Sequence, residues 1–154
     1  MNVRLQTILF LVVAVSATLW AADEALMGTW KLNLAKSKLI GQPPKSRTMK
    51  IEPAGAGIKV TTDEIDAQGK PNSRAYTASF DGKDVPNQVQ ADRDSISWKR
   101  VDSHTWETTS KGAGKVTATS KRVVSPDGKV FTLTTTGRNA QGQPVTAVMV
   151  YDKQ

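Results

Sequence analysis

The chain has 154 residues and a formal charge of +7, with one histidine and no cysteine. That length holds one domain, and the missing cysteine excludes disulfides, thiolate metal sites, cysteine nucleophiles and the lipid-carrying cysteine of a lipoprotein. Its lysines and arginines are scattered, with no run of five or more, and few aromatics stand free to stack bases, so a nucleic-acid partner is not expected.

The first element is a leader. Arg4 precedes an apolar run, ILFLVVAVSATLW (8–20), which has the length of a signal-peptide core and falls short of the roughly 20 residues that span a bilayer. Ala21 and Ala22 supply the small residues of a cleavage site. The expectation is a signal peptide over 1–21 and one domain over 22–154, exported to the periplasm or beyond, without stable membrane insertion after cleavage.

The rest reads as strands, rich in Thr and Val, with turn signals every eight to fourteen residues. TWKLNL (29–34) alternates, with Trp30, Leu32 and Leu34 on one face. AKSKLIGQPPKS (35–46) is a loop, because Pro43 and Pro44 forbid a helix or a central strand. Strands follow over RTMKIE (47–52), IKVTT (58–62) and SRAYTASF (73–80). VPNQV (85–89) is a weak strand with a proline at its edge and leaves a sheet edge open. SISWKRV (95–101) aligns Ile96, Trp98 and Arg100, and TWETTS (105–110), VTATSKRVV (116–124), VFTLTTT (130–136) and VTAVMVYDK (145–153) complete the series. Two turns, DAQGKP (66–71) and NAQGQP (139–144), are near copies, which reads as one hairpin chemistry used twice. Short links make sequence neighbours spatial neighbours, so the expected fold is all-β, a single antiparallel up-and-down meander of eight to ten strands closed into a barrel. Thr62, Ala78, Thr108, Ala118, Thr132 and Thr134 are candidate inward residues, small enough to leave a modest, partly polar cavity.

Gly28-Thr29-Trp30 opening the first strand of such a meander resembles the calycin superfamily, which includes the lipocalins and the fatty-acid-binding proteins. The closing VMVYDK is similar to the last strand of the latter, and GTWKLNLAKSK to the start of small secreted bacterial lipocalin-like proteins. The resemblance implies that Gly28 and Trp30 form the barrel floor, with an arginine from a late strand, Arg122 or Arg138, across the indole. It also implies a small hydrophobic or amphipathic ligand as partner, and no cofactor. The two-helix lid of fatty-acid-binding proteins and the C-terminal helix of lipocalins have no counterpart in the sequence.

Arg100, Trp98, Tyr76 and Trp106 are the candidate ligand-binding residues. A guanidinium on an inward face needs an anion, and a ligand carboxylate would serve. No catalytic set stands out. His104 lies in a turn, without a Gly-x-Ser-x-Gly or a strand-to-helix elbow elsewhere. The acid clusters Asp63, Glu64, Asp66 and Asp92, Asp94 do not fit a calcium loop, and one histidine cannot build a zinc site. The expected function is non-enzymatic binding of a small amphipathic or anionic hydrophobic molecule. The alternatives are a packed barrel acting through its outer surface, and an enzyme on a calycin-like frame.

Overall fold

The computed structural model describes residues 24–90, 93–139 and 141–154. The expected leader and its cleavage site lie outside the described residues. Ten strands follow in chain order: β1 (Gly28–Leu32), β2 (Ser46–Ala54), β3 (Gly57–Ile65), β4 (Pro71–Ala78), β5 (Val85–Gln90), β6 (Arg93–Arg100), β7 (Thr105–Gly112), β8 (Lys115–Val124), β9 (Val130–Arg138) and β10 (Pro144–Lys153). They form one antiparallel sheet in the order β4-β3-β2-β1-β10-β9-β8-β7-β6-β5. The meander thus curls until β10 pairs with β1, through Trp30↔Lys153 and Leu32↔Tyr151. What remains open is the seam between the two sheet edges, β4 and β5. Pro86 has no N–H to donate, and the pairing of β5 with β6 shifts register between Pro86 and Gln90.

Alternation sorts the strands by face. Trp30, Leu32, Met49, Ile51, Ile58, Val60, Ile96, Trp98, Phe131, Leu133 and Tyr151 are all buried. Two expectations fail here. The first strand ends at Leu32, and Leu34 turns outward, 41% exposed. Thr132 and Thr134 face out, because Phe131 and Leu133 take the inner phase of β9. Threonine suits either face of a strand, and the bulkier apolar residues decide.

The β1–β2 connection, 33–45, holds a single 3-10 turn, Leu34–Lys36, and no lid helices. Asn33 caps that turn, its Oδ1 accepting from Lys36 N, while its Nδ2 donates to Asp152 at 2.6 Å. Lys38 then exchanges backbone hydrogen bonds with Val148 at 2.7 and 2.8 Å, so the loop continues the ladder where β1 has stopped. The twin turns are built alike. Asp66 Oδ1 accepts from Gln68 N and Lys70 N, as Asn139 Oδ1 accepts from Gln141 N and Gln143 N. Gly69 (φ 90°) and Gly142 (φ 77°) hold the matching left-handed position. Among the described residues no helix is long and apolar enough to cross a membrane.

Candidate functional site

One end of the barrel is a floor. Trp30 is fully buried and its indole N–H donates to Leu26 O at 2.9 Å, which satisfies the one polar atom it carries. Phe131 packs against Trp30 at 5.4 Å and Tyr151 against Phe131 at 5.8 Å. The cation over the indole is Lys153, its Nζ 5.1 Å from the ring centroid. The expected arginines are elsewhere: Arg138 is exposed and donates to Gly142 O, and Arg122 lies higher, over Trp98. Gly28 is required beneath the lysine. At φ 128° it takes a conformation side chains avoid, and a Cβ there would sit 2.9 Å from Lys153 Cε.

Above the floor, inward side chains of β4, β6, β7 and β8 converge. Trp98 is fully buried and donates from Nε1 to the Tyr76 hydroxyl at 3.3 Å. The Arg122 guanidinium stacks on the Trp98 ring, 4.3 Å from its centroid. Its Nε donates to Thr108 Oγ1 at 3.2 Å, the one hydrogen bond the arginine makes among the described residues. No carboxylate is within ion-pair reach of it there. Burial lowers the pKa of Arg122, opposed by Tyr76 and Tyr151, and raises that of Tyr76, opposed first by Arg122. An arginine keeps its proton in proteins, so the charge stays.

Arg100 shares the inner phase of β6 with Trp98, but its guanidinium rests on Phe80, 5.2 Å from the centroid, toward the floor. Phe80 in turn meets Trp98 at 6.2 Å and Trp106 at 6.5 Å. Trp106 is fully buried, and its Nε1 has no hydrogen-bond partner among the described residues. The four candidate residues therefore belong to one cluster, and Arg122 joins it by stacking on Trp98.

Away from the floor, the inner face of β7–β10 carries small residues, among them Thr108, Ser110, Ala118, Ser120, Thr135 and Ala147. Ser120, Thr135 and Ala147 face inward and are still partly exposed, so solvent reaches that face. Across from it, Arg47 on β2 is ion-paired with Glu64 on β3 and donates to Met149 Sδ. Arg74 on β4 shares this inner phase and is half-buried. A groove of about 440 Å³ at the upper ends of β2–β4 lies mostly over outward residues, Ser46, Thr48, Asp63, Ile65, Pro71 and Ser73, and only its edge touches Glu64 and Asn72. Arg47, Glu64, Arg74 and Tyr151 were not anticipated. The available signal was a charged residue in the inward phase of an amphipathic strand, as in Arg47-x-Met49-x-Ile51 and Arg74-x-Tyr76-x-Ala78.

No protein-family model matches the chain, and no curated protein does. Solved structures do. A Schistosoma mansoni fatty acid binding protein in complex with arachidonic acid is similar at TM-score 0.60 and 14% identity, over 86% of this chain and 98% of that one. A zebrafish ileal bile acid-binding protein complexed with cholic acid is similar at TM-score 0.52 and 15% identity, over 84% and 99%. The barrel has the calycin fold.

In this calycin barrel the remaining polar candidates have local work. His104 Nδ1 lies 2.9 Å from Ser103 Oγ in the β6–β7 turn, and Asp102 accepts from the His104 backbone N–H at 2.8 Å. Asp63 accepts from Ser73 Oγ, Asp66 closes its turn, and Asp94 accepts from Ala113 N. Asp92 lies outside the described residues. Among the described residues no three such groups gather as a metal site.

Proposed function

We propose that this is an exported carrier that binds, without chemistry, a small hydrophobic molecule bearing an acidic head group. The observation that carries the reading is Arg122. It is buried, always charged, braced by Trp98 and Thr108, and set where the aromatic floor gives way to small residues. A buried cation that no protein carboxylate neutralises is costly unless an anion comes from outside. The apolar rings around it suit a hydrocarbon body, and the hydroxyls of Ser120 and Thr135, 2.9 Å apart, tolerate water. The two similar structures hold hydrophobic acids, arachidonic and cholic acid, which supports the same ligand class for this chain. The apolar run of signal-peptide length in residues 8–20 supports export, and the scattered roles of His104 and the carboxylates support a binder over an enzyme.

The test is displacement of bound anilinonaphthalene sulfonate by sodium dodecanoate and by dodecanol, in the native protein and in Arg122→Gln. The carboxylate is expected to bind about tenfold more tightly than the alcohol in the native protein, since a charge-assisted hydrogen bond is at stake. In a folded Arg122→Gln protein that advantage should vanish. Equal affinity for acid and alcohol in the native protein would remove Arg122 from the site.

A further inference from the structure

The interior carries more positive charge than one carboxylate can neutralise. On the inner face between the aromatic floor and the upper rim stand Arg47, Arg74 and Arg122, against Glu64. Glu64 is committed to Arg47. Arg74, half-buried beside that pair, makes no ion pair or hydrogen bond among the described residues. Arg122 makes only its bond to Thr108. The two arginines are not remote from each other. Arg122 stacks on the Trp98 ring, and Trp98 donates to the Tyr76 hydroxyl. Tyr76 and Arg74 lie two residues apart on the inner phase of β4. Two surplus guanidinium groups thus share the neighbourhood of the Tyr76 hydroxyl, opposite a face lined by serine, threonine and alanine.

We propose that the site takes a doubly charged head group, a phosphate monoester on a hydrocarbon tail, in preference to a monocarboxylate. This rests on the reading of the barrel as a binder of acidic amphiphiles, and names its ligand class. The charge sum is the reason. Three arginines and one glutamate leave two positive charges, and a dianion closes the balance where a carboxylate leaves one open. The chemistry fits as well: a phosphate monoester offers three acceptor oxygens, enough for two forked guanidinium groups and a phenol. No covalent step is involved.

Three ligands with the same twelve-carbon tail separate charge from size. They are dodecyl phosphate, its methyl diester, which carries one charge, and dodecanoate, each titrated calorimetrically at pH 8 below its micelle concentration. The monoester is expected to bind about tenfold more tightly than either monoanion. Arg74→Gln should bring the three affinities level, and Arg74→Lys, which keeps the charge, should retain most of the preference. Circular dichroism establishes that both variants are folded. Native protein that binds dodecanoate or the diester as tightly as the monoester overturns the dianion proposal and leaves the carrier reading standing. Binding of none of the three overturns both.

Discussion

Tyr76 connects the ligand chemistry to the stability of the barrel. Its hydroxyl accepts from Trp98 Nε1, and burial raises its pKa above the usual tyrosine value, although Arg122 and the Trp98 bond pull the other way. The neutral phenol is therefore the form the folded state favours. Its contribution is complete below the unfolded pKa of about 10 and is lost as pH climbs through the higher folded value. Tyr76→Phe removes the acceptor and strands the Trp98 N–H, a cost of about 1–2 kcal/mol at neutral pH. The variant also has no phenol to ionise at position 76. Urea midpoints measured from pH 7 to 11 should therefore show the native protein falling above about pH 10 and approaching the variant from above. Curves that run parallel over that range would show that Tyr76 ionisation does not matter to folding.

At the level of the strand, the open seam decides where the barrel is soft. β4 and β5 each have one partner, whereas β9 is laddered on both sides by β8 and β10. Amides of β4 and β5 that face the seam lack a strand to bond to. In hydrogen exchange they should lose protection about a hundredfold faster than those in the centre of β9. Equal protection in β4, β5 and β9 would mean that the seam closes in solution. The weak strand was legible in the sequence because Pro86 interrupts it, and all ten strands were legible because alternation survives wherever one face is buried. Register was less legible. In VFTLTTT the threonines suit either face, and the bulk of Phe131 and Leu133 against the core chooses the phase. The site was legible in part for a related reason. Alternation placed Trp98 and Tyr76 inward, but which cation covers which ring depends on strands far apart in sequence. Lys153 meets Trp30 through the β1–β10 closure, and Arg122 meets Trp98 from β8, two strands away from β6.

For the whole molecule, the distribution of charge between the two ends matters more than its total. Among the described residues, the connections at the end away from Trp30, residues 33–45, 66–70, 113–114 and 139–143, contain four lysines (36, 38, 45 and 70) and one aspartate (66). Those leading round the floor, residues 24–27, 55–56, 79–84, 101–104 and 125–129, contain Glu24, Asp81, Asp84, Asp102 and Asp127 against Lys83 and Lys129. The described loops thus set a positive upper end against a negative floor. An anion approaching in solution is drawn to the upper end, where the partly exposed inner face of β7–β10 lies. Such steering acts on association and is screened once the Debye length shrinks to about 10 Å near 0.1 M salt. Stopped-flow association of anilinonaphthalene sulfonate should therefore slow by about tenfold between low and high salt. Dissociation should hold nearly constant, and uncharged phenylnaphthylamine should bind at a rate indifferent to salt. Replacing Lys38, Lys45 and Lys70 by glutamate should reproduce the slowing at low salt, because the three are exposed and only the field changes. Identical salt dependence for the charged and neutral probes would place entry somewhere other than the basic end.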